Sequence, residues 1–159
     1  MRSFGQYGEK AVKVGSKAPE IQQTDPSGKM LKLADINKGK YVLLDFWASW
    51  CGPCKAGSAT LVKIYNDCKG RPFGGIEQGF VMVSLSLDDD KQKWIQAITQ
   101  EGYTWPYHMS DLKGWKSPTC YAYGIAGIPQ LFLIDPQGII RGKYGIADDA
   151  LKDLQHYIK

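Results

Sequence analysis

Cys51 and Cys54, three positions apart, are the residues of this chain best placed to do chemistry. They lie in Trp50-Cys51-Gly52-Pro53-Cys54, directly after the apolar run Tyr41-Val42-Leu43-Leu44-Asp45-Phe46-Trp47. A short, β-rich, nearly uninterrupted apolar run reads as a buried strand. The residues from Lys55 to Cys68 read as a helix. A Cys-x-x-Cys where a strand meets a helix N-terminus has a mechanism: unpaired backbone N–H groups and the positive end of the dipole stabilise a thiolate. Cys51 then becomes a nucleophile near neutral pH. Cys54, one turn inside and expected to be more buried, is close enough to close a disulfide. The competing reading is two structural thiols or half a metal site. Zinc and iron–sulfur clusters normally take four ligands, and Cys68 and Cys120 lack paired spacing, so no metal is assigned.

The neighbouring residues qualify that chemistry. Gly52 and Pro53 separate the cysteines. Pro53 has no N–H and a fixed φ, which suits a first helical turn. No lysine or histidine stands between the cysteines to stabilise the thiolate strongly, as in a strong oxidant, so the pair leans toward a reductant. Asp45 interrupts an apolar strand, and a carboxylate there is costly without a partner or a task. Burial raises such a pKa and suits proton exchange with Cys54. A local cap or salt bridge is the competing reading, and the functional one is favoured. Trp50 borders Cys51 and reads as an apolar rim for partner docking, whereas Trp47 reads as core. Trp105, His108 and Trp115 are candidates to extend that rim, with plain packing an equal alternative. His156 reads as surface. Cys68, on an apolar helix face with Leu61, Ile64 and Tyr65, reads as a buried free thiol. Cys120 reads as core rather than as a third redox thiol.

The elements that position these residues follow from pattern. Strands are expected at 20–24 and 29–33, a short turn at 35–38, and a central strand at 40–47. A helix spans 52–68. Lys69-Gly70-Arg71-Pro72-Phe73-Gly74-Gly75 is a breaker-rich loop. A strand at 79–87 leads to a helix at 89–101, then a long connection over 102–117 and a short helix at 118–123. Strands at 130–135 and 139–144 pair through Asp135-Pro136-Gln137-Gly138. The last helix, 147–158, is expected to bury Leu151, Leu154 and Ile158. Strands alternating with helices give an α/β fold with parallel pairs, to which the final hairpin adds antiparallel strands.

Composition sets the outer bounds. The chain has 159 residues, 43% hydrophobic and 12% aromatic, enough for one domain with a proper core. The net charge of +4 is carried by scattered residues, which gives no sign of nucleic-acid binding and only a weak preference for acidic partners. No stretch approaches the ~18 apolar residues of a membrane helix. The first ten residues have no apolar segment of the signal-peptide kind. Two readings follow: a cytosolic protein, or a mature or trimmed chain that lacks its export signal or anchor. Residues 1–13 are expected to form a flexible tail and 14–159 the domain.

Two segments carry a resemblance. Leu44-Asp45-Phe46-Trp47-Ala48-Ser49-Trp50-Cys51-Gly52-Pro53-Cys54-Lys55 resembles the active-site segment of the thioredoxin superfamily. Tyr123-Gly124-Ile125-Ala126-Gly127-Ile128-Pro129, with the strand Gln130-Leu131-Phe132-Leu133-Ile134, resembles that family's cis-proline loop. The opening Val14-Gly15-Ser16-Lys17-Ala18-Pro19-Glu20, the hairpin turn Thr24-Asp25-Pro26-Ser27-Gly28-Lys29 and the inserted strand–helix unit at 81–98 are similar to the TlpA/ResA-type, redoxin (AhpC/TSA) branch. The resemblance implies a thioredoxin-like fold: a central mixed sheet flanked by helices, an N-terminal β-hairpin and an inserted strand–helix unit. It implies a cis bond at Pro129, with the Ile128 backbone pairing to a substrate strand and the loop keeping metals off the thiols. It also favours a location outside the cytoplasmic membrane. Two positions depart from that branch. Gly57 stands where many relatives carry Glu, and Ala59 where they carry Pro. The first leaves Asp45 as the available acceptor; the second suggests a straighter helix, although Gly57 can still bend it.

The expected activity is thiol–disulfide oxidoreduction. Cys51 attacks a partner protein's disulfide, Cys54 resolves the mixed disulfide with help from Asp45, and an upstream dithiol protein re-reduces the pair. No organic cofactor or metal is needed, and the protein is expected to act as a monomer. A peroxidase of peroxiredoxin type is the runner-up, but it needs Pro-x-x-x-Thr-x-x-Cys, and Ala48-Ser49-Trp50-Cys51 lacks that Thr. A redox-inert docking module would have no need of both thiols.

Overall fold

In a computed structural model, which describes residues 12–158, the chain builds a five-stranded sheet and a separate N-terminal hairpin. The hairpin pairs β1 (Gln22–Thr24) with β2 (Met30–Lys32) in antiparallel fashion. Asp25 closes its turn: the carboxylate accepts from the backbone N–H groups of Ser27 and Lys29, the usual turn chemistry of Asp. Most of the expected 1–13 tail lies outside the described residues. Val12 packs on the core.

The main sheet runs β5-β4-β3-β6-β7. Its centre is β3 (Tyr41–Trp47), parallel to β4 (Phe80–Ser86) and antiparallel to β6 (Gln130–Ile134). β5 (Tyr107–Met109) continues the parallel side, and β7 (Ile140–Tyr144) forms a hairpin with β6. β3 is buried along almost its whole length, as expected of an interior strand covered on both faces. Alternation divides its side chains. Trp47 packs edge-on against Tyr103, centroids 4.8 Å apart. Phe46, on the other face, meets Tyr123 and Phe132.

The helices are α1 (Leu33–Asn37), α2 (Gly52–Ala56), α3 (Ser58–Cys68), α4 (Lys91–Gln100), α5 (Pro118–Tyr123) and α6 (Ala147–Leu154). Asp90 caps α4 by accepting from the Lys93 N–H, and Ser117 with Pro118 starts α5, both familiar N-terminal devices. α3 packs against β4 and α6.

Four expectations on the elements are corrected. Residues 33–37 form a helix rather than a turn. The helix expected over 52–68 is broken at Gly57, whose φ of −93° and ψ of 1° leave the helical region. The long connection contains β5 and a 3-10 turn at Gly114–Lys116. Finally, α6 ends at Leu154 and buries Ala147, Ala150 and Leu154, while Leu151 and Ile158 are only half-buried. Past its end, Tyr157 stacks on Phe73 at 5.1 Å and Ile158 bridges the Phe73 backbone, so the chain leaves the helix to cover another part of the core.

Candidate active site

β3 delivers the chain to the site. Immediately after it, the backbone N–H and hydroxyl of Ser49 both donate to Asp88, at the end of β4. Asp88 also accepts from Ser86 Oγ. This buried carboxylate therefore fastens the loop that presents Trp50 and Cys51. Sequence reading passed it over. The signal was topological: β3 and β4 are parallel neighbours, so their C-terminal ends meet at the same edge.

Cys51 is the N-cap of α2. Its sulfur accepts from the Cys54 N–H at 3.1 Å, which places one of the helix's otherwise unpaired donors on the sulfur. Pro53 occupies the first turn and removes a donor that would have had no partner. Cys51 and Cys54 stand at disulfide distance, with Cα atoms 5.3 Å apart. Both are 4% exposed, so in this oxidised form the expected difference in burial is absent; place in the helix distinguishes them. Gly52 and Pro53 are exposed above them.

The loop before β6 closes the other side. The Ile128–Pro129 peptide bond is cis, and the Ile128 carbonyl oxygen lies 3.7 Å from Cys51 Sγ. Both residues are half-buried. Pro129 also lines a cavity of about 150 Å³ together with Asp45, Cys54, Gly57, Leu131 and Asp148. The cavity brings the carboxyl of Asp45 and the second cysteine onto one space. Gly57 opens onto it as well, and an added Cβ there would meet only ordinary contacts, the nearest Ala147 Cβ at 3.4 Å.

Asp45 is 1% exposed. Its Oδ2 accepts from Ser84 Oγ at 3.2 Å, and its Oδ1 has no hydrogen-bond partner among the described residues. Burial lifts the carboxyl from its ordinary 3.8 to about 7, with the Ser84 hydrogen bond pulling the other way. No salt bridge reaches it among the described residues, so the local ion-pair reading fails. Ser84 was the other residue that sequence reading missed; within Val83-Ser84-Leu85-Ser86 it looked like strand filler.

The aromatic candidates separate. Trp50 and Trp115 are 53% and 44% exposed, with ring centroids 6.2 Å apart. They border an open groove with Leu87, Asp89, Lys113 and Lys116. Trp105 and His108 are buried and belong beneath the site, not on its rim. Burial lowers the His108 pKa to about 4, so it is neutral at ordinary pH. Trp47 is core and His156 is exposed, while Cys68 and Cys120 are buried free thiols.

The sequence model of the AhpC/TSA family matches residues 14–143. The chain belongs to the AhpC/TSA family. Proteins similar to it carry oxidoreductase names. It is 30% identical over 148 residues to the thiol-disulfide oxidoreductase ResA of Bacillus thuringiensis (strain Al Hakam), covering 93% of this chain and 78% of that protein. It is 31% identical over 133 residues to the thiol:disulfide interchange protein DsbE of Yersinia pestis, covering 82% of this chain and 63% of that one. Its fold matches the thioredoxin domain of a thiol-disulfide oxidoreductase from Bacteroides vulgatus, with a TM-score of 0.81 and 31% identity over 94% of this chain and 100% of that one. This AhpC/TSA protein is accordingly a ResA-like thiol-disulfide oxidoreductase with a thioredoxin-like fold.

Proposed function

We propose that this oxidoreductase reduces disulfides in partner proteins through a mixed disulfide. The observation that carries the reading is the Cys54 N–H donated to Cys51 Sγ at the start of α2. In the reduced protein this donor and the helix dipole favour the Cys51 thiolate. The thiolate attacks one sulfur of the partner's disulfide; a Cys51–partner bond forms and the partner's other sulfur leaves as a thiolate. Cys54 then gives its proton to Asp45 across the cavity they share and attacks Cys51. The Cys51–Cys54 bond forms, the second partner sulfur departs, and two electrons have passed to the partner. An upstream dithiol protein restores the reduced pair. No organic cofactor or metal enters the scheme.

Trp50, Gly52, Pro53, Ile128 and Pro129 are the substrate contacts in this reading. The half-buried Ile128 backbone beside Cys51 is the edge offered to a partner's extended strand. The exposed Trp50–Trp115 pair supplies an apolar landing surface. The protein acts as a monomer, and its place is outside the cytoplasmic membrane, as the resemblance to TlpA/ResA-type proteins favours. Among the described residues no helix is long and apolar enough to cross a membrane.

The peroxidase reading finds little support, because Ala48 carries no hydroxyl at the position where peroxide would be polarised and is fully buried. Insulin reduction and peroxide consumption, followed side by side, separate the readings. Turnover of insulin without turnover of peroxide is expected, and Cys54→Ser should accumulate a Cys51–insulin mixed disulfide. Peroxide consumption that outpaces insulin reduction would reject the proposal.

A further inference from the structure

Asp45 is a buried acid with no ion pair among the described residues. The polar groups around it come from four elements: Cys54 on α2 and the exposed Asp148 at the start of α6 line the same cavity, Ser84 on β4 contacts it, and Tyr103 after α4 lies within reach of its charge. On its β6 side it is registered with Leu131, which is apolar. Of these groups only Ser84 hydrogen-bonds to it.

The direction of that bond is fixed from behind. Trp105 Nε1 donates to Ser84 Oγ at 3.0 Å, and an indole N–H can only donate. Ser84 Oγ is therefore an acceptor toward Trp105, and its single proton is free to point at Asp45 Oδ2. Trp105 is itself locked, stacked on Tyr103 at 4.6 Å and tilted against Tyr65 at 5.4 Å. If Oδ2 carried the acid's proton, it would be a much poorer acceptor, and the Ser84 hydroxyl bond would be weakened in an apolar wall. A proton on Oδ1, which has no partner among the described residues, leaves the Ser84 bond to Oδ2 intact.

We propose that Ser84, oriented by Trp105, is the positioning residue that holds Asp45 Oδ2 as an acceptor and leaves Oδ1 to take the Cys54 proton. The chain Trp105 to Ser84 to Asp45 acts as a neutral counterpart of a salt bridge: it favours the carboxylate without placing a charge in the core. The catalytic half of this assignment rests on Asp45 as the acceptor in the function proposed above.

The test starts with the oxidised protein, in which neither Cys51 nor Cys54 titrates. The Asp45 carboxyl carbon is followed by NMR against pH in wild type, Ser84→Ala and Trp105→Phe. Loss of a hydrogen bond to the charged form should raise the midpoint in Ser84→Ala by about one pH unit. Trp105→Phe should raise it less. Should Ser84→Ala fail to fold, Ser84→Cys, a weak donor of similar size, should give an intermediate rise. In the reduced protein, mixed-disulfide resolution by Ser84→Ala should slow up to about tenfold near pH 6.5 and recover above pH 8.5, following the carboxyl. A merely structural defect would slow it at every pH. In an Asp45→Asn background the same substitution should leave the profile unmoved. A carboxyl midpoint that stays put in Ser84→Ala overturns the relay. A midpoint that moves while the rate profile does not overturns Asp45 as the acceptor.

Discussion

The run formed by α2 and α3 has a cysteine at each end, and the two ends have opposite chemistry. Cys51 caps the start and Cys68 is the last residue of α3. They are hidden to nearly the same degree, 4% and 2% exposed. Cys51 receives a backbone N–H. Cys68 sits at a helix C-terminus, where burial pushes its thiol up to about 12, with the charge of Asp67 adding and that of Arg71 opposing. Depth alone therefore does not make a thiol inert. In the proposed reading the backbone donor and the helix N-terminus favour a Cys51 thiolate, whereas at Cys68 burial comes first and the charge of Asp67 adds to it.

The largest expected contrast comes from removing each sulfur. Cys51→Ser should bring insulin reduction down to the uncatalysed background. Cys68→Ala should keep the wild-type rate and lose only about 1 kcal/mol of stability in a denaturant titration. Equal losses of activity would end the comparison.

Next comes the acid on the Cys51 side, Asp45, which is buried without an ion pair among the described residues, whereas Asp67 beside Cys68 is paired with Lys63. Asp45→Asn should slow resolution of the mixed disulfide by roughly 10- to 10⁴-fold in stopped flow, with the first attack changed less. The same variant gives a stability test. With the folded carboxyl near 7 and its ordinary value at 3.8, the folded protein keeps a proton there that the unfolded chain has already released between those values. The associated stability is fully present below about pH 4, is lost as pH rises through 7, and stays lost above it. Asp45→Asn has no such slope. Its thermal midpoint should exceed that of wild type above pH 7, by the equivalent of a few kcal/mol, and converge with it near pH 4.

Alkylation of the native reduced protein reads the comparison directly. Cys51 should react more than about 100-fold faster than Cys68 or Cys120 at pH 7, given the thiolate fractions involved. Both buried thiols are pushed up to about 12, Cys120 by burial and then by Asp111. A fast Cys120 would mean that its site opens. The smallest effect is on potential. With only Gly52 and Pro53 between the cysteines, titration against glutathione should give a value nearer thioredoxin's roughly −270 mV than DsbA's roughly −120 mV. A value above about −170 mV would reverse the expected direction of electron flow.

What was legible in the sequence was local. The strand, the turn into α2 and the cysteine pair occupy one continuous segment, so spacing alone displayed them. The hairpin turns at Asp25 and Asp135 were equally open, because each carboxylate accepts from N–H groups two and four residues on. Ser84 and Asp88 were not legible, since their meaning lies in the parallel register that sets Ser84 opposite Asp45. β5 escaped because Tyr107-His108-Met109 is short and stands between breakers; only pairing with β4 makes it a strand. The break at Gly57 was half-visible: the residue suggested a bend, while the missing proline suggested none.

β4 has a further consequence in kinetic terms. Asp88, just past its end, holds the loop that carries Cys51, and Ser84 within it contacts Asp45, the acid proposed to serve Cys54. The two steps of the cycle are thus tied to a single strand. Variants that loosen β4 as a whole should therefore lower both rate constants of the proposed cycle, whereas Ser84→Ala should lengthen the life of the covalent complex by slowing resolution alone.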